Sequence, residues 1–420
     1  MSFCGVVINF VAKLGKNVHT PSNKMEHNDN KQPYAQDFSD IRPYDDHEFR
    51  EKIASLVKEP GFEHAVRYVM PDVDYPEFVK NLLTVETQMD FQIKVMGPFL
   101  EMLVAHTTKG LSADGLENYD PSHSHVFITN HRDIVLDASF LNLCLIRAGL
   151  PLTQVAIGNN LLIYEWITDL VKLNRSFIVK RDGRVREALD NAQHLSAYIH
   201  HAVKTLNESV WIAQREGRAK DSNDLTQESV IKMLSLAGAG DSKQNLMELN
   251  IVPVAISYEF DPNDYLKVRE FVLKRRDPDY KKTKRDDLFS METGILKQKG
   301  RVHFRMGQCI NAELERVGDT RAEAVRLVCN VLDRAIHCGY RIFPCNYIAF
   351  DKVHGTDKYA SEYNQADVEA FEKYVEGQLD KVEVDNITPE ERDFMRHTML
   401  SMYANPLKNQ RAALDCSSAL

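Results

Sequence analysis

The sequence predicts an α/β fold, a mainly parallel sheet flanked by helices, with helical N- and C-terminal extensions. Three observations carry this. Short apolar runs recur between residues 125 and 307, each bounded by turn residues. Amphipathic segments separate several of them, and buried-type strands alternating with helices read as a largely parallel sheet. On both sides of this region the apolar residues return at helical spacing instead.

Residues 1–45 read as a mobile or interfacial tail. Phe3, Val7, Phe10 and Leu14 fall on one helical face near Lys13 and Lys16, a pattern that fits a helix lying in a membrane interface. A disordered tail, or an upstream extension with the functional start at Met25, is the other reading. The segment lacks a basic start and a small-residue cleavage site, so it does not read as a signal peptide. Residues 46–114 read as a helical subdomain, in which Phe49, Ile53 and Leu56 repeat at spacings of four and three. The long apolar helical stretch that follows is expected to break near Gly97-Pro98.

Residues 115–350 form the expected α/β domain. Its strands are "HVFIT" (125–129), "TQVAIG" (153–158), "RSFIVK" (175–180), "SVWIA" (209–213), "NIVPVAISY" (250–258) and "RVHFRMG" (301–307). The clearest helix is 184–206, where Val185, Leu189, Ala192, Leu195, Ile199, Ala202 and Leu206 line one face. Pro253 inside an apolar strand is tolerable only at an edge, a start or a bulge. Residues 351–420 read as a helical C-terminal extension, with Thr388 and Glu391 as a capping box.

The 420 residues, 43% of them apolar and 27% charged, suffice for a sizeable core. The net charge of -9 argues against general nucleic-acid binding, which needs a basic face. Seven scattered cysteines with no C-x-x-C pair point away from a disulfide framework or a zinc site and towards a reducing cytosol. No metal or other cofactor is expected. No stretch reaches the roughly 18 apolar residues that a membrane-spanning helix needs.

Residues 125–140, "HVFITNHRDIVLDASF", hold the letters that open a kinase catalytic loop. That loop needs an Asn five residues after its Asp to hold magnesium, and here the position is Ala138. No phosphate-covering glycine loop, D-F-G or P-loop occurs, so phosphoryl transfer is excluded. His131 instead sits in a strand-to-helix turn, beside the partly positive helix N-terminus and at the sheet edge where open α/β sheets bind ligands. A nearby carboxylate can fix the imidazole tautomer and leave the other nitrogen to take a proton. Asp133 and Asp137 are the candidates; Asp133 is the nearer but also suits a helix N-cap.

Further segments add chemistry. Lys180 and Arg181 close one strand with cations where an anionic acceptor could dock. "WIAQREGRAKD" (211–221) ends another in Arg215, Glu216, Gly217, Arg218 and Lys220. A glycine there lets backbone amides approach a phosphate, which the cations neutralise. Residues 273–285, "LKRRDPDYKKTKR", carry seven basic residues. As a solvated loop they need no function; otherwise they meet anionic headgroups or an acidic carrier protein.

Four segments in order resemble the four sequence blocks of the glycerolipid acyltransferase superfamily, the glycerol-3-phosphate and lysophosphatidic acid acyltransferases. Asn130-His131 with Asp137 looks like the first block, N-H-x-x-x-x-D. Phe177-Ile178-Val179-Lys180-Arg181 matches the second, Glu216-Gly217-Arg218 the third and Ile251-Val252-Pro253-Val254 the fourth. The resemblance covers roughly residues 115–315, and the flanking helices look like those of the larger glycerol-3-phosphate acyltransferases. Two departures stand out. Five residues rather than four separate His131 from Asp137, and Arg218 follows Gly217 directly. Anchored on Gly-Arg, the loop puts Arg215 at the usual Glu position; anchored on Glu-Gly, the phosphate-binding Arg moves by one.

The resemblance implies an acyltransferase in which His131 is the general base on an acceptor hydroxyl, oriented by Asp137. It implies Arg181, Arg218 and Lys220 as holders of an acceptor phosphate or carboxylate. The donor would be a thioester of acyl-CoA or acyl-carrier protein. The acceptor would be glycerol phosphate, a lysophospholipid or a related lyso-lipid, and the protein would sit at the inner face of the membrane, peripheral and cytoplasmic. A non-catalytic lipid-binding member of the fold and an acyl-thioester or lipid hydrolase are the alternatives.

Overall fold

The structure is a computed structural model that describes residues 37–181, 185–316, 318 and 320–417. It divides into two units, residues 1–40 and 41–420. Of the first, only 37–40 are described, a turn in which the Asp37 carboxylate accepts from Ser39 N at 2.8 Å and Ser39 Oγ at 3.0 Å. The interfacial helix expected over residues 3–14 lies outside the described residues.

Among the described residues seven strands make one sheet: β1 (Leu111–Asp114), β2 (Val126–Thr129), β3 (Thr153–Gly158), β4 (Ser176–Val179), β5 (Ser209–Ala213), β6 (Val252–Tyr258) and β7 (Val302–Met306). Their order is β1-β7-β6-β2-β5-β3-β4. All neighbours are parallel except β6 and β7. The six expected strands are present, each within two residues of its expected ends. β1 was not foreseen and lies inside the stretch read as helical; it pairs only with β7, at the sheet edge, and its side chains alternate between half-buried and exposed.

Helices cover the sheet and extend it on both sides. They are α1 (Asp46–Leu56), α2 (Pro60–Val69), α3 (Tyr75–Leu82), α4 (Gly97–Thr107), α5 (Leu136–Ala148), α6 (Glu165–Leu173), α7 (Val185–Lys204), α8 (Glu228–Leu234), α9 (Ser242–Met247), α10 (Asp264–Arg276), α11 (Lys284–Leu296), α12 (Arg321–Gly339), α13 (Pro344–His354), α14 (Gln365–Leu379) and α15 (Pro389–Ser417). The central core joins strand residues Phe127, Val254, Ile256 and Phe304 to Leu136, Phe140 and Leu141 of α5. Each such side chain contributes roughly 1.5–3 kcal/mol on burial. A second cluster seals α1–α3 through Phe49, Ile53 and Leu56, and a third joins α10 to α13–α15 through Val272, Phe371 and Met399.

Local expectations fare unevenly. The Thr388 box forms, with Glu391 N donating to Thr388 Oγ1 at 3.2 Å and Thr388 N to Glu391 at 3.1 Å. The helix does not break at Gly97-Pro98. Residues Phe91–Met96 form a π-helical turn that runs straight into α4, so the chain continues past a proline that offers no N–H. On α7 the predicted stripe, apart from Val185, whose side chain lies outside the described residues, is buried at Leu195, Ile199 and Ala202 and half-buried at Ala192; Leu189 is 54% exposed, and Leu206, past the end of the helix, is 48% exposed. Pro253 falls at the start of β6, although that strand is central: its carbonyl accepts from Gly307 N at 2.8 Å, beyond the last paired residue of β7.

Candidate functional site

The register places one set of loops together. Thr129 is level with Ala213 and Val254, and Gly158 with Val179, so the chain leaves β2, β3, β4 and β5 at the same edge of the sheet. β6 continues four residues past that level. Asn130 bridges the step. Its side-chain amide donates to Ile256 O at 3.0 Å and accepts from Ile256 N at 2.8 Å, taking the place of one more peptide group of β2. The next residue, His131, is thereby released from the sheet just where its neighbours form a wall.

His131 Nδ1 donates to Asp137 Oδ2 at 2.8 Å. The same oxygen accepts from Arg132 N at 2.6 Å and Asp133 N at 3.0 Å, so one carboxylate closes the turn and orients the ring. The additional residue between His131 and Asp137 is absorbed in this loop. Asp133 does not reach the ring. Its Oδ1 accepts from Val135 N at 2.9 Å and Leu136 N at 2.8 Å, starting α5 as a cap does. The imidazole is 13% exposed, Nε2 has no hydrogen-bond partner among the described residues, and the Trp211 ring meets it edge-on at 5.9 Å.

The turn is electrostatically loaded from behind. Asp133 and Asp137 are both buried, and burial, with the Asp137 charge alongside, raises the Asp133 carboxyl above its ordinary range. Burial also raises the Tyr258 hydroxyl, with the Asp137 and Asp133 charges adding to it. Lys299 is fully buried and donates to Thr107 Oγ1 at 3.0 Å, Ile295 O at 3.2 Å and Lys297 O at 2.8 Å. Burial lowers its ammonium to about 8, opposed by the Asp133 charge. Gly294 of α11 lies flat against the turn: a Cβ there would come within 2.0 Å of Asp133 Oδ2. Arg132, Ser257, Tyr258, Asp261, Tyr340 and Tyr403 are among the residues lining a cavity of about 30 Å³ beside it.

The other sequence-predicted residues gather at the same edge in two groups. Arg181 N donates to Asn159 at 3.1 Å, and its guanidinium lies 3.6 Å from Glu216. Lys180 is exposed at the end of β4, and Arg215 is half-buried with Nε unpartnered. Gly217 has φ +69°, the left-handed turn that favours glycine. Arg218 is buried, its Nη1 is unpartnered, and its charge acts on Asp133, Asp261 and Lys220. Lys220 meets Glu270 at 2.9 Å, a carboxylate shared with Lys274 at 2.9 Å and Lys282 at 3.3 Å. Burial and the Arg218 and Lys282 charges lower the Lys220 ammonium to about 7.

Much of the basic segment 273–285 is internally paired, Arg276 on Glu391 at 2.6 Å and Lys282 also near Asp287 at 3.6 Å. Trp211, Asp224, Tyr258, Gly294 and Lys299 were not anticipated. A glycine in the middle of the "METGIL" helix was the one available signal of close packing. Among the described residues no helix is long and apolar enough to cross a membrane.

No protein-family profile matches the chain, and no curated protein sequence matches it. Among solved structures, it is similar to the 1-acyl-sn-glycerophosphate (LPA) acyltransferase of Thermotoga maritima. The match covers 69% of this chain and 94% of that one, at 10% sequence identity and a TM-score of 0.35.

Proposed function

We propose that the chain is an O-acyltransferase that moves an acyl group from a thioester to the hydroxyl of an anionic acceptor, with His131 as general base. The observation that carries this is the 2.8 Å contact of His131 Nδ1 with a buried Asp137, which leaves Nε2 at the loop edge of the sheet without a partner among the described residues. An imidazole held in one tautomer by a carboxylate is the arrangement a Ser-His-Asp triad uses, here without a protein nucleophile. The acceptor hydroxyl supplies the nucleophile. Nε2 takes its proton as the oxygen attacks the thioester carbonyl. The tetrahedral adduct then collapses, the C–S bond breaks and the thiolate recovers the proton from the imidazolium. No net proton and no covalent enzyme intermediate is needed.

Cations at the same edge fit an acceptor phosphate or carboxylate. Three of them, Lys220, Lys274 and Lys282, share the Glu270 carboxylate, with Lys282 also near Asp287, and the Arg218 charge acts on Lys220, a cationic cluster that an anionic group would neutralise. Exposed Leu189, in the second turn of α7 after the β4 loop, and Leu225, in the β5 loop, offer apolar surface near the edge for an acyl chain or a bilayer. Acyl-CoA or acyl-carrier protein is the donor, and glycerol phosphate or a lyso-lipid the acceptor class.

The test is lipid mass spectrometry after incubating the protein with each thioester and a panel of phosphorylated and unphosphorylated acceptors. An acylated acceptor that vanishes with His131→Ala, in a variant that melts as the wild type does, is the expected result. Free fatty acid as the only product would make the protein a hydrolase. Unchanged turnover in His131→Ala would remove His131 from the chemistry.

A further inference from the structure

The residue after His131 turns inward. Arg132 Nη2 meets Asp224 Oδ2 at 2.7 Å, and the two side chains are 7% and 0% exposed. Asp224 belongs to the loop after β5 that also carries Arg215, Glu216, Gly217, Arg218 and Lys220. Its Oδ2 accepts the Tyr340 hydroxyl at 2.7 Å, and the Arg132 guanidinium lies 5.6 Å from the Tyr340 ring centre. The Asp224 carbonyl accepts from His337 Nε2 at 2.7 Å, and Asp333 Oδ1 accepts from Thr226 N at 2.7 Å and Thr226 Oγ1 at 2.5 Å. One ion pair therefore joins the turn after β2 to the loop after β5, and three residues from α12 and its C-terminus hold the far side.

Stability alone is a poor reason for such a pair. Desolvating two charges offsets most of their attraction, and apolar replacements of buried pairs are commonly neutral or stabilising. This pair also leaves Arg132 Nη1 and Asp224 Oδ1 without hydrogen-bond partners, so it is not optimised as a stabilising contact. What it does supply is registry. We infer that Arg132 and Asp224 are positioning residues that hold the base-bearing turn at a fixed distance from the cationic acceptor loop. This rests on His131 being the base and on the β5 loop holding the acceptor. Both side chains are buried, so each acts through the loop it anchors.

The decisive variant is the double substitution Arg132→Met/Asp224→Asn. It removes both buried charges while keeping an acceptor for the Tyr340 hydroxyl. Each single variant strands a charge and should melt lower, whereas the double should melt close to wild type. If the pair positions, the double variant loses about 10- to 100-fold in kcat, the scale of a misplacement of about 1 Å, with KM for the thioester unchanged. Amide exchange should quicken together in residues 130–136 and 214–227. A double variant that is folded and has wild-type kcat would overturn the inference. Wild-type protein that moves no acyl group from any thioester would instead defeat the acyltransferase reading. In that event exchange still decides the pair, because wild-type protection in either loop of the double variant refutes registry.

Discussion

The two carboxylates of the turn make opposite predictions, and Asp137→Asn is the sharper one. Asp137 Oδ2 accepts from His131 Nδ1, Arg132 N and Asp133 N at 2.8, 2.6 and 3.0 Å. An amide oxygen in the same place keeps all three contacts, so the turn should hold and stability should fall by only about 1 kcal/mol. What disappears is the negative charge facing the imidazolium that forms as the acceptor loses its proton. Two unit charges about 4 Å apart interact by about 4 kcal/mol at an effective dielectric constant of about 20. At about 1.4 kcal/mol per decade, kcat should fall on the order of 10³-fold.

Asp133→Asn should behave differently. Asparagine still caps Val135 N and Leu136 N, and the substitution removes a buried like charge beside Asp137. Turnover should stay near wild type. Because folding raises the Asp133 carboxyl, its ionised form penalises the native state above that raised pKa. The variant should therefore gain stability at neutral pH, and the gain should disappear as pH falls below the ordinary carboxyl range. Single-turnover acyl transfer and denaturant melts at two pH values measure both. If Asp133→Asn collapses kcat while Asp137→Asn keeps it within about tenfold of wild type, the assignment of the orienting acid is wrong.

Other expectations follow from the same geometry. Lys220, lowered to about 7, loses its charge across neutral pH, so KM for a phosphorylated acceptor should climb as pH rises through 7. Lys220→Met should have a raised, flat KM profile; a wild-type profile in that variant would take Lys220 out of the acceptor site. Gly294→Ala would set a Cβ 2.0 Å from Asp133 Oδ2, so the turn or α11 must move. Overpacking of this kind costs about 1–3 kcal/mol, and kcat should drop with it; an unchanged melt and rate would show that the helix yields freely. Asp264 accepts from the hydroxyls of Tyr374 and Tyr403, each at 2.7 Å, yet burial lifts its carboxyl to about 6 from an ordinary 3.8. A raised carboxyl destabilises the native state above its folded pKa and not below its unfolded one. Wild-type stability should therefore gain about 2 kcal/mol relative to Asp264→Asn between pH 7 and pH 4, seen in paired denaturant melts.

How far the sequence could be read depends on where each signal is stored. Strands β2 to β7 announce themselves as apolar runs because they are central or covered on their faces. β1 does not, since Leu-Ser-Ala-Asp at an edge buries too little to need an apolar pattern. The π-helical turn ahead of Pro98 is likewise invisible, because it follows from how the chain fits around a missing donor and not from residue type. The acid–base pair was legible because all its letters lie between Asn130 and Asp137. Even so, spacing could not decide between Asp133 and Asp137. That choice depends on which carboxylate caps α5 and which receives the backbone N–H groups of the turn, and both answers are hydrogen bonds, not letters.

The groups that hold the turn from outside were illegible for a related reason. Gly294, Lys299 and Asp224 come from segments far along the chain, and none has a local pattern that refers to His131. They nevertheless bear on the chemistry directly. Two carboxylates share a turn of seven residues, one bonded to the imidazole and the other disfavoured in its ionised form by burial. The fold separates them by giving Asp137 three N–H donors and leaving Asp133 Oδ2 without a hydrogen-bond partner against a glycine. The bare helix face of Gly294 is thus part of what distinguishes the two acids. A side chain at residue 294 would meet Asp133 Oδ2 at 2.0 Å, so either α11 or the turn that carries His131 would have to move.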